Sequence, residues 1–96
     1  MRAWLIHAEG RERRSEVFEL DLPAGVEQRS DGHLPGTEEL VVCLRGRLLA
    51  GPAGAEEELG AGDAVWFAAD GEHRYRALED SVALDWMLYA PRGEAR

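Results

Sequence analysis

The 96-residue chain has no lysine, no asparagine and only one cysteine. Without lysine it cannot form a phosphate-cradling loop that closes on Gly-Lys, and all eleven basic residues are arginine. The lone Cys43 makes no disulfide within the chain. The first residues do not combine a charged start, a long apolar stretch and a small-residue cleavage site, so the expected location is the cytoplasm. No segment approaches the ~20 apolar residues of a membrane-spanning helix, and no membrane partner is expected. Basic charge is scarce too: 19 acidic residues against 11 arginines leave a net charge of −8, which repels a phosphate backbone. Binding of nucleic acid by this chain alone is not expected. The one basic run, Arg11–Arg14, lies beside Glu9 and Glu16 and reads as solvated surface.

What is present suffices for a folded globule. The chain is 45% hydrophobic with three tryptophans, which argues against disorder. A chain this short hides only about 60% of its unfolded surface, so residues 1–96 are expected to form one small domain of two packed layers. Eight short segments of strand character recur between turn signals: residues 4–8, 16–22, 38–44, 47–51, 56–59, 63–68, 73–78 and 81–89. Their hydrophobic period is two rather than 3.6. In the second, Phe18, Leu20 and Leu22 share one face while Glu19 and Asp21 take the other. In the last, Val82, Leu84, Trp86 and Leu88 oppose Ala83, Asp85, Met87 and Tyr89. Pro23 to Gly36 is the longest connector, polar and carrying His33. The pattern predicts an all-β sandwich or barrel.

Two spaced motifs narrow that prediction. Six residues separate Glu39 from Gly46, with His33 upstream, and Gly62 precedes His73 at the spacing of a second glycine-to-histidine motif. On these residues the sequence resembles the cupin superfamily, which implies a small β-barrel of the double-stranded jelly-roll type. The stretches "HLPGTEE", "CLRGRL" and "GDAVWFAADGEHRY", over positions 33–75, are similar to the C-terminal cupin sensor domains of bacterial helix-turn-helix regulators of the XRE type. That resemblance implies either a stand-alone relative or the ligand-sensing half of a longer regulator. In metal-holding cupins three histidines and a glutamate bind the ion. Pro35 stands where the second histidine of the first motif falls, and Ala68, Asp70 and Ala77 replace the proline, glycine and asparagine of the second. At most His33, Glu39 and His73 remain as ligands, and two imidazoles with one carboxylate are chemically sufficient for Fe, Mn, Ni or Zn.

The residues themselves support this reading. Glu38 and Glu39 are adjacent, so one faces outward and the other is a candidate buried carboxylate that needs a partner. His73 shares a strand face with Tyr75 and Ala77, while Arg74 and Arg76 face away. Cys43 shares the face of Glu39 and Val41 and reads as a small buried hydrophobe. Tyr75, Trp66 and Trp86 are either an aromatic pocket wall or core packing. The expected ligand-binding residues are therefore His33, Glu39, His73, Tyr75 and Trp86. Three functions are consistent with them: a sensor-like module that binds a small molecule with no resident cofactor, a small metal-dependent enzyme of dioxygenase or isomerase type, and a dimerisation platform. A homodimer is expected in any of the three.

Overall fold

The computed structural model describes residues 1–9, 15–33 and 35–89, and the basic run Arg11–Arg14 lies outside them. Nine strands form among the described residues: β1 (Arg2–Glu9), β2 (Ser15–Leu22), β3 (Glu27–Ser30), β4 (Glu38–Arg45), β5 (Arg47–Pro52), β6 (Glu57–Gly60), β7 (Ala64–Ala68), β8 (His73–Ala77) and β9 (Ser81–Leu88), most of them alternating apolar and polar side chains. They form a five-stranded sheet in the order β1-β2-β9-β4-β7 and a four-stranded sheet in the order β3-β8-β5-β6. Every strand pair is antiparallel. The fold is the all-β jelly roll that the sequence leads one to expect.

One strand departs from expectation. β3 lies inside the connector from Pro23 to Gly36, where no strand is anticipated. Its four residues, Glu-Gln-Arg-Ser, contain nothing apolar, so hydrophobic periodicity passes over it. The ladder to β8 makes it a strand: Gln28 pairs with Tyr75, and Ser30 with His73.

The interior is graded along the strands. At one end Leu22, Cys43, Leu48, Leu59, Ala77 and Ala83 are almost wholly buried and pack together. Toward the other end the inward positions of the same strands become polar, with Tyr75 on β8, Glu39 on β4 and Asp85 on β9. The dry end carries the hydrophobic stabilisation, roughly 1.5–3 kcal/mol per large side chain. Its closure depends on Gly46, between β4 and β5, at φ +87°. A Cβ there would lie 2.3 Å from the Asp80 carbonyl oxygen, closer than any side chain can sit. Ser81 holds the same corner, accepting from the Arg47 amide at 3.0 Å. The polar end is left to open into a cavity.

Candidate functional site

Three elements bring the site together. His33 lies in the loop between β3 and β4, which is held down by backbone bonds: the His33 amide donates to the Ala69 carbonyl at 2.9 Å, and the Ala69 amide to the Thr37 carbonyl at 2.9 Å. The loop can approach so closely because residue 32 is glycine. A Cβ on Gly32 would stand 2.6 Å from the Asp70 carbonyl oxygen, and φ is +124°. Glu39, the second residue of β4, points inward and is fully buried. His73, the first residue of β8, is 1% exposed.

The three side chains converge on one carboxylate oxygen. Nε2 of His73 is 2.8 Å and Nε2 of His33 is 3.1 Å from Glu39 Oε2. The rings are 5.0 Å apart, and one ligand atom from each of the three residues lies within 4.8 Å of the others. Donor atoms on a metal ion at ~2.1 Å, subtending right to tetrahedral angles, stand ~3.0–3.4 Å apart, so the two contacts to Glu39 are near the spacing of a coordination shell while the 4.8 Å spread of the set is wider than one.

The protonation of His73 supports the same conclusion. Its Nδ1 lies 2.8 Å from the Gly71 carbonyl oxygen, which can only accept, so Nδ1 carries a hydrogen and donates it. Nε2 faces the Glu39 oxygen closely yet makes no aligned hydrogen bond, and it is buried. A carboxylate oxygen 2.8 Å from this nitrogen is held there by a positive charge between them, a proton or a metal cation. The three residues are of the kind that hold a divalent cation, and the Gly71 carbonyl stands where the orienting partner of a metal-binding histidine usually stands.

Behind Glu39 lies a second layer. The Tyr75 hydroxyl donates to Glu39 Oε1 and stands 3.1 Å from Asp85 Oδ2. One hydroxyl has one proton, so it serves one of these carboxylates, and the other oxygen must bring its own hydrogen. The order Asp85 to Tyr75 to Glu39 gives each of the three a partner and leaves Oε2 for the histidines, while the buried Oδ1 of Asp85 has none. Electrostatics agree: burial, followed by the charge of Glu39, pushes the Asp85 carboxyl up to about 8. Burial raises Glu39 above the usual carboxylate range against the opposing hydrogen bonds from Asp85 and Tyr75. Burial together with the two carboxylates raises Tyr75 far above a free phenol, so it remains a donor. For His33, burial and the neighbouring His73 lower the pKa, which favours the neutral, ligating imidazole.

The cluster stands at the end of a cavity of about 340 Å³, within the range of small-molecule sites. Phe18, Leu20, Met87 and Ala3 give it apolar walls; His33, His73, Tyr75 and Asp85 line its polar end, and Gln28, Arg29 and Ser30 of β3 its flank. Four of the five residues expected to bind ligand thus stand together, with Glu39 just behind the cavity surface. Trp86 does not. It lies on the opposite face of β9 and is 39% exposed, because the inward parity of that strand belongs to Ala83, Asp85 and Met87. Trp66 likewise points outward, so neither tryptophan is pocket wall or core. Asp85 and Met87 are site residues that sequence reasoning missed, as are Phe18, Leu20 and the β3 residues of the cavity flank. The available signal was an isolated acid in an otherwise apolar strand. Cys43 is buried as expected, and burial raises its thiol above the ordinary value, which disfavours the thiolate.

No protein-family model matches the sequence, and no curated protein is significantly similar to it. Solved structures are similar. The cupin domain of an XRE-family transcriptional regulator from Enterobacter cloacae superposes with a TM-score of 0.75 at 23% identity, covering 95% of this chain and 97% of that one. A helix-turn-helix (HTH_3 family) transcriptional regulator from Vibrio cholerae gives 0.72 at 27% identity over 81% of this chain, which spans only 44% of that regulator's length. An RmlC-like cupin protein from Desulfovibrio desulfuricans gives 0.72 at 23% identity, covering 90% of this chain and 79% of that one. With two antiparallel sheets rolled around a histidine–glutamate–histidine cluster, and with these neighbours, the chain has the cupin fold.

Proposed function

We propose that this domain is a sensor-like module that binds a small amphipathic molecule in its cavity, and that His33, Glu39 and His73 hold a divalent metal at the cavity's polar end. The observation that carries the metal is the convergence of three ligand-type side chains on one point, where the buried Nε2 of His73, its ring oriented by Gly71, lies 2.8 Å from Glu39 Oε2. A bound Fe, Mn, Ni or Zn ion would act as a Lewis acid and accept an oxygen or nitrogen of the ligand. The chain's own residues do the rest. Tyr75 and Asp85 fix the Glu39 carboxylate, while Phe18, Leu20 and Met87 enclose the ligand's apolar part. The similarity to two transcriptional regulators favours sensing over catalysis. An enzyme of dioxygenase or isomerase type would use the same three donors, and turnover of a ligand would distinguish it.

The test is metal content. The purified full chain, stripped with chelator and reloaded with each of the four ions in turn, is expected to retain close to one equivalent of one ion, and His73→Ala close to none. A ligand present at a hundred times its dissociation constant stabilises the folded form by about 2.7 kcal/mol. For a domain of this size the melting temperature should then rise by roughly 10–20 °C. Failure of all four ions to bind or to shift the melting curve refutes the metal centre.

A further inference from the structure

Among the described residues, two buried side-chain polar atoms have no hydrogen-bond partner: Nε2 of His73 and Oδ1 of Asp85. Both belong to residues that line the cavity. The first faces Glu39 Oε2 at 2.8 Å and is part of the histidine–glutamate cluster. The second is not accounted for by that cluster. Asp85 is 5% exposed and takes the inward parity of β9 between Ala83 and Met87, so its carboxyl projects into the barrel. Its Oδ2 stands 3.1 Å from the Tyr75 hydroxyl, and Oδ1 is the free corner of the group.

The chemistry of that corner follows from its neighbours. Tyr75 gives its one proton to Glu39, so a hydrogen on Asp85 lies on Oδ2, toward the Tyr75 oxygen. Oδ1 is then a carbonyl oxygen, and without that hydrogen it is a carboxylate oxygen. In either form it accepts and does not donate. A buried acceptor without a donor is unfavourable, and a bound molecule that enters the cavity can bring one.

The rest of the wall does not reverse this preference. Gln28 and Ser30 pair across the ladder with Tyr75 and His73 and share their inward face, but an amide and a hydroxyl each both donate and accept. Arg29, the one arginine among the lining residues, alternates to the outer face, where it meets Glu27 and Glu72 at 3.5 Å. No guanidinium of the wall is therefore turned inward to hold an anion. Phe18, Leu20 and Met87 offer apolar contact only.

From this arrangement we infer that the cavity selects a molecule whose polar head carries an O–H or N–H, an alcohol or an amine, which donates to Asp85 Oδ1 while its apolar body packs on Phe18, Leu20 and Met87. The inference rests on the proposed function in taking this cavity as the ligand site, and it does not need the metal. An ether or carboxylate head brings acceptors alone, which set lone pairs against Oδ1 and leave it unpaired. Asp85 thus determines specificity for the head group.

The experiment is calorimetric titration of the full chain, in chelator and again with the ion it retains, using n-hexanol, hexylamine, hexyl methyl ether and hexanoate. These share an alkyl chain and differ in the head. The alcohol or the amine is expected to bind at least tenfold more tightly than the ether and the acid, and the stronger of the two identifies the donor. In Asp85→Asn the amide N–H can serve Tyr75 while the amide oxygen keeps the place of Oδ1, so the preference should persist. In Asp85→Leu, checked for folding by circular dichroism, it should vanish; if that variant does not fold, the wild-type series decides alone. Equal binding of all four heads means that water rather than the ligand serves Oδ1. That result, tighter binding of the ether or the acid, or a preference that folded Asp85→Leu retains, overturns the inference and leaves the cavity a ligand site. Should none of the four bind, the proposed function falls together with the inference.

Discussion

Replacing Asp85 by asparagine in the metal-free chain tests the run of hydrogen bonds that ends on Glu39. Burial beside Glu39 lifts the Asp85 carboxyl from 3.8 to about 8 in the fold. Its unfolded value is near 3.9. Between those values the folded chain holds a proton that the unfolded chain has released. The stabilisation is therefore complete below about pH 4 and drains away as pH rises toward about 8. At about 1.4 kcal/mol per unit, the loss between pH 5 and pH 8 is about 3–4 kcal/mol, an upper figure because Glu39 shares the proton. Asparagine keeps the shape, stays neutral and can donate its amide hydrogen toward Tyr75, so this loss should vanish. His33 titrates with the opposite sign, its pKa being lowered by burial, and most of its titration is common to both proteins; the part that the Asp85 charge contributes, which raises the His33 pKa, is lost in the variant. Urea unfolding at several pH values, with chelator present, measures that difference. The stability of wild type relative to Asp85→Asn should fall by about 3 kcal/mol from pH 5 to pH 8. Parallel curves would mean that Asp85 is already ionised in the fold at the acid end, and the proposed order of donors would be wrong.

Two further substitutions probe what holds the site. Gly32→Ala forces a methyl group toward the Asp70 carbonyl at 2.6 Å and a left-handed backbone onto a residue that resists it. It should cost about 2–3 kcal/mol in thermal unfolding and, by shifting the His33 loop, lower metal affinity at least tenfold in a competition titration. Tyr75→Phe removes the hydroxyl between Glu39 and Asp85. The unpaired carboxylates should cost about 1–3 kcal/mol, and metal affinity should fall by 10–100-fold while stoichiometry stays at one, which separates an orienting residue from a ligand.

The fold was legible because strands buried on one side state their period in sequence. In β8, His73, Tyr75 and Ala77 are inside and Arg74 and Arg76 are not, as alternation requires. The site was legible where motif spacing marked it, at His33, Glu39 and His73. It was not legible where the interior is polar for its own reasons. β3 faces the cavity with Gln28 and Ser30 and so shows no hydrophobic stripe. Nor could spacing say that Nδ1 of His73 would find the Gly71 carbonyl, since that bond comes from the turn between β7 and β8 rather than from either strand.

β9 shows why alternation alone misleads. It separates Val82, Leu84, Trp86 and Leu88 from Ala83, Asp85 and Met87, and the first set is the more hydrophobic, so transfer free energy alone would turn it inward. The structure does the reverse. Inside, at the level of Glu39 and Tyr75, the barrel needs a hydrogen-bonding group to support a buried carboxylate, and an alkyl side chain would leave the Tyr75 hydroxyl that holds Glu39 with one partner fewer. Asp85 meets that need, and parity then drives Trp86 and Leu84 to the outer surface. The apolar outer face and the buried polar cluster are thus two consequences of one choice of strand parity.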